Sequence, residues 1–75
     1  MNNERRKRLR EWLKKMGVLK DELESICSDE EMSFDMMPES LQGTINGMNS
    51  EEAIDKMNEA IEYLSDATDA VEEII

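Results

Sequence analysis

From Leu9 onward the apolar side chains fall at Leu9, Trp12, Met16, Leu19, Leu23 and Ile26, so steps of three and four alternate. That is a heptad with its a and d positions filled, and it predicts an amphipathic helix. Leu13 and Cys27 widen the stripe. Gly17 lies inside the run, where glycine costs about 1 kcal/mol relative to alanine. Capping a first helix after Lys14, Lys15 and Met16 is the alternative. The heptad passes through Gly17 without a phase shift, however, and this predicts one helix over 4–32.

The C-terminal pattern is more regular. Ile54, Met57, Ile61, Leu64, Thr68, Val71 and Ile75 occupy a and d, while Ala53, Ala60, Ala67 and Ile74 recur at the neighbouring g position. The text repeats every seven residues as EAIDKMN, EAIEYLS and DATDAVE. Asn49, with Glu52 three residues later, has the form of a capping box, which predicts a second helix over 50–75. Alanine at g lets a neighbouring helix approach closely. The resulting a/d/g face is wider than a two-stranded seam and suits a bundle of three or four helices.

Residues 33–49 separate the two patterns. Pro38 cannot sit inside a helix but can begin a short turn, Pro38 to Gln42, that Gly43 ends. Gly47 marks a second break. Phe34, Met36, Met37, Leu41, Ile45 and Met48 are too many apolar residues for a free linker and are expected to fold over the bundle end as a cap. The fold class is therefore all-α: an antiparallel helical hairpin with a short helical or loop cap, assembling into a four-helix bundle. The chain forms one domain, 1–75, and its helices match at ~43 Å and ~39 Å, taking 1.5 Å per residue.

Size and charge sharpen this picture. Seventy-five residues give only a small core, and chains this short usually gain stability from a disulfide, a metal or a partner. Cys27 is the single cysteine and histidine is absent, so an internal disulfide is impossible and a zinc site has no ligand set. Cys27 reads plainly as a small buried apolar residue. Self-association remains as the staple, with a dimer favoured. The first 20 residues carry eight basic side chains against two acids, a net +6, and residues 21–75 carry Lys56 against seventeen acids, a net −16. Antiparallel packing would lay the basic arm Arg5, Arg6, Lys7, Arg8 and Arg10 beside Asp69, Glu72 and Glu73. No apolar run suits a signal peptide or a bilayer span, and a cytoplasmic protein is expected.

Catalytic readings fail on inventory. The commonest general base is missing, and Cys27 has no imidazole to activate it. Glu-x-x-His metal pairs cannot occur, the acids near Asp29 and Asp35 lack the spacing of an EF-hand loop, and no phosphate loop is present. No enzyme, cofactor or metal is expected.

The string from Asp35 to Leu64 resembles small helical proteins of phages and mobile elements in Gram-positive bacteria. It carries the motif Met37, Pro38, Glu39, Ser40, Leu41, Gln42, then Gly43 and Gly47, then EEAI-type repeats from Glu51. The resemblance covers most of the chain. It brings no activity and transfers no functional residue, but it implies a phage or mobile-element context.

Two charged features remain. Asp55, Glu59, Glu62, Asp66, Asp69 and Glu73 form a stripe at the b and f positions, pointing away from the core. Like charges at these spacings repel by a few tenths of a kcal/mol each. The stripe is either a solvated face or a docking surface for a basic partner, the second making the chain an acidic, DNA-mimic-like inhibitor of a host nucleic-acid-binding or defence protein. The basic arm, with Trp12 for stacking, raises nucleic-acid binding as another alternative. Net charge opposes that, and charge compensation is the plain reading. The primary expectation is a non-enzymatic, self-associating interaction module.

Overall fold

The computed structural model describes residues 1–75 and contains three helices: α1 over Asn3–Asp35, α2 over Glu39–Gln42 and α3 over Ile45–Glu72. The two long helices pack against each other as a rod with extents of 58 × 15 × 13 Å.

Helix α1 starts where Asn2 Oδ1 accepts the Arg5 N–H at 2.9 Å, a side-chain cap on an otherwise free donor. It continues through Gly17 without a break. The local cost of that glycine is small beside the heptad packing on either side. At its far end the last turn holds no basic residue to offset the dipole. The corner supplies donors instead. Gln42 Nε2 donates to the carbonyls of Phe34 (3.3 Å) and Met37 (3.0 Å), tying α2 to the end of α1.

Pro38 precedes α2 and Gly43 follows it, as the sequence predicts. The start of α3 differs from expectation. Thr44 is the N-cap, its Oγ1 accepting the Gly47 N–H at 3.5 Å and donating to the Leu41 carbonyl. The helix therefore begins at Ile45 and not at 50, and Asn49 lies in its interior without a capping role. Gly47 is no break. It sits buried in the first turn, where a Cβ would stand 2.1 Å from the Gln42 carbonyl oxygen. Asn49 and Glu52 satisfy a local rule, but the Thr44 cap and the glycine contact add a turn that the heptad pattern does not register.

Helices α1 and α3 are antiparallel. Ser50 Oγ donates to Glu30 Oε1 at 2.6 Å, the Cys27 thiol lies 3.6 Å from Asn58 Oδ1, and Trp12 and Val71 border one cleft at the opposite end. From α3 the seam receives Ile54, Met57, Ile61, Leu64, Thr68 and Val71, all half-buried. From α1 it receives Leu9, Leu13, Met16, Lys20, Leu23, Cys27 and Phe34. Leu9, Met16 and Leu23 fulfil the predicted register. The companion row is Leu13, Lys20, Cys27 and Phe34, however, and not Trp12, Leu19 and Ile26. The corner decides this: it turns Phe34 inward, and Phe34 shares a heptad row with Cys27. Only Cys27, Gly47 and Ser50 are buried, and the expected apolar cap is not formed as such: Phe34 and Met37 are half-buried, while Met36, Leu41, Ile45 and Met48 are exposed. A pair of helices cannot close a core.

Candidate functional site

Rotating α1 onto the Leu13–Phe34 row leaves the predicted d row uncovered. Trp12 is 36% exposed, Leu19 54% and Ile26 52%. At 100° per residue these three stand about 80° to one side of the seam direction. On α3, Ala53, Ala60, Ala67 and Ile74 stand about 70° off the seam by the same rule. Both rows lie on the same side of the hairpin. Trp12, Leu9 and Val71 line one cleft together with Met1, Arg5 and Arg8. The Cys27–Asn58 contact and a second cleft, of Glu31, Phe34, Asp35, Glu51, Ile54 and Asp55, open on the other side. One side of the rod thus gathers these two apolar rows and the other the polar contacts, while Val18, Met32, Ile45 and Met48 are exposed singly elsewhere. Tyr63, 62% exposed, stands at the margin of the apolar side.

The acidic stripe is where the heptad puts it, along the side of α3 remote from α1. Asp55, Glu62, Asp66, Asp69 and Glu73 are exposed, and none has an ion-pair partner. Glu59 differs. Lys56 Nζ approaches its carboxylate at 3.4 Å and the Tyr63 hydroxyl donates to it at 2.8 Å. The Tyr63 hydrogen bond, with Lys56 adding a second bond and its charge, holds the Glu59 carboxyl below the ordinary range. The same hydrogen bond, reinforced by partial burial and the Glu62 charge, pushes the Tyr63 hydroxyl up. One carboxylate of the six is therefore relieved locally, which lowers the repulsive cost expected of the stripe.

The basic arm makes no direct ion pair with α3. The two ion pairs of the molecule, Lys20–Glu24 and Lys56–Glu59, are both within a helix. Arg6 is half-buried and reaches Asn3 Oδ1 at 3.4 Å, while Arg5, Lys7, Arg8 and Arg10 are exposed. The expected pairing of this arm with Asp69, Glu72 and Glu73 thus reduces to proximity at one end of the rod. The arm overhangs α3, since α1 has 33 residues and α3 has 28.

The cysteine sits in the seam, its thiol 3.7 Å from Glu31 Oε1. Burial pushes that thiol up, and Glu31 adds to the effect by charge and as an acceptor. A thiol kept protonated is a poor nucleophile and a poor ligand. No group of three or more His, Cys, Asp or Glu side chains stands close enough to hold a metal ion. No helix is long and apolar enough to cross a membrane.

Sequence reasoning missed the roles of Gln42, Thr44 and Gly47. They sit in or beside the Met37–Gln42 motif, and their bonds and contacts there are structural ones. The signal available was a threonine three residues before a glycine, which is weak alone. Comparison of the chain with protein-family models, with curated proteins and with solved structures returns no match.

Proposed function

We propose that this chain is a non-enzymatic acidic interaction module, cytoplasmic and encoded by a phage or mobile element, that works as a self-associated four-helix assembly. One observation carries the reading: an apolar face of Trp12, Leu19, Ile26, Ala53, Ala67 and Ile74 stands exposed around the half-buried Ala60, on a hairpin with almost no closed core. Fully burying a leucine or isoleucine is worth roughly 1.5–3 kcal/mol, so covering the exposed half of Leu19 and of Ile26 gives about 1 kcal/mol each. Such a face on a short chain is a contact surface before it is anything else. Sedimentation equilibrium at tens of micromolar tests the reading. A mass of twice the 8.7 kDa chain or more supports it, and a single 8.7 kDa species overturns it.

A second reading adds a basic protein partner on the Asp55–Glu73 stripe. It is favoured by the five unpaired, exposed carboxylates on the side remote from the apolar face. Reversal by Glu62→Lys, Asp66→Lys and Asp69→Lys should abolish capture of such a partner while leaving helicity and assembly unchanged. Nucleic acid is not favoured, because Trp12 belongs to the apolar face and the chain carries a net charge of −10.

A further inference from the structure

The apolar face has an internal symmetry. Trp12 and Ile26 stand seven residues either side of Leu19. On α3, Ala60 and Ala67 flank the Tyr63–Leu64 peptide evenly, and Ala53 and Ile74 flank it evenly one heptad further out. The cross-helix contacts Cys27–Asn58, Glu30–Ser50 and Trp12–Val71 bring Leu19 level with that same peptide. Both rows are therefore centred at one height on the rod.

Charge follows the same centre. The row outside Trp12, Leu19 and Ile26 on α1 reads Arg8, Lys15, Glu22 and Asp29, all exposed and none ion-paired. Two cations occupy one side of the Leu19 level and two anions the other. In antiparallel helix pairs such flanking positions meet their own kind across the seam, and their charges set partner and orientation.

We propose that the occupant of the apolar face is a second copy of this chain, packed antiparallel about a twofold axis that crosses the face beside Leu19 and Tyr63. Arg8 and Lys15 then stand opposite the partner subunit's Asp29 and the partner subunit's Glu22, and the reverse pairs form by symmetry. The cleft beside Trp12 receives the partner subunit's Ile26. The alanine row of α3 meets its own copy closely, as small side chains allow. The alternative twofold axis, along the rod, lays α1 over the partner's α3. There Arg8 and Lys15 find no acid, because the outer row of α3 above Lys56 is Tyr63 and Ala70. It also gathers both acidic corners at one end, each with twelve acids against Lys56 over residues 21–59. The antiparallel arrangement sets each corner beside the other copy's basic arm.

This inference rests on the self-association reading, and the experiment separates the two. The dimer dissociation constant is measured by sedimentation for the wild type, for R8E/K15E, and for R8E/K15E/E22K/D29K. The double variant sets like charges opposite each other at four positions and should weaken the dimer about tenfold or more at low salt. The quadruple variant restores the pairing and should recover wild-type affinity. A monomeric wild type overturns self-association itself. A wild-type dimer indifferent to R8E/K15E, or unrescued by the quadruple variant, overturns the antiparallel arrangement alone. Cross-linking gives a readout independent of charge. Leu19→Cys lies beside the proposed axis and should oxidise to a disulfide-linked dimer, whereas Val18→Cys, on the outer side of α1, should not. If the quadruple variant fails to fold, the Leu19→Cys result decides: no cross-link in a dimeric protein overturns the proposal.

Discussion

Two glycine-to-alanine substitutions should have opposite signs, and the difference comes entirely from the third dimension. At Gly17 an added methyl meets nothing within 4 Å. The helix continues on both sides, so Gly17→Ala should stabilise by about 1 kcal/mol through backbone entropy. At Gly47 the same methyl would lie 2.1, 2.6 and 2.7 Å from the carbonyl oxygen, carbonyl carbon and Cα of Gln42. All three are backbone atoms, so no side-chain rotation relieves the clash, and α3 must move away from α2. Overpacking costs about 1–3 kcal/mol. The movement also loosens the Gln42 hydrogen bonds to Phe34 and Met37 and the Thr44 cap, each worth about 1 kcal/mol. Against this stands the helix-propensity gain of about 1 kcal/mol. The net expectation is destabilisation by about 2–3 kcal/mol. Urea unfolding followed by far-ultraviolet circular dichroism measures both variants, at one fixed protein concentration so that any self-association enters both measurements equally. If Gly47→Ala proves as stable as Gly17→Ala, the close approach of α3 to α2 is wrong.

Gln42→Ala should cost about 1–3 kcal/mol by leaving the Phe34 and Met37 carbonyls without their side-chain donor, and Gln42→Glu should cost at least as much because a carboxylate cannot donate; thermal melts rank the two. Ile61→Asp puts an unpaired charge into the seam and should abolish helical circular dichroism, whereas Asp66→Asn on the exposed stripe should change stability by no more than about 0.5 kcal/mol. The Glu59 carboxyl is held below its ordinary value of 4.5, so its contribution to stability is present above that value and is lost as pH falls through the lowered one. Tyr63→Phe removes the largest cause of the shift, and NMR titration of the Glu59 carboxyl should show its midpoint move up. At the alkaline end the Tyr63 hydroxyl is raised above 10.0, so its contribution is present below that pH and fades as pH climbs through the raised value.

The sequence by itself determined the helices, and the reason is period. Ile54 through Val71 can satisfy a 3.5-residue repeat only on one face of a helix, and that face is the one that packs. The same periodicity carried α1 through Gly17, and the proline and glycine at Pro38 and Gly43 bounded the short helix between them. What period cannot specify is rotation about the helix axis. Leu9, Met16 and Leu23 can be completed into a seam by Trp12, Leu19 and Ile26 or by Leu13, Lys20, Cys27 and Phe34, and residue pattern alone points to the first, because the second carries a lysine. Only the corner chose between them. The Gln42 amide on the Phe34 and Met37 carbonyls, the Thr44 cap and the missing side chain at Gly47 fix how α3 leaves α1, and so which row of α1 faces it. Those contacts join residues through backbone atoms, whose positions no residue pattern encodes. By turning Phe34 inward they turn Trp12, Leu19 and Ile26 outward. The apolar face that the proposed function rests on was therefore written in the sequence as residues, and became a surface only through the tertiary fold.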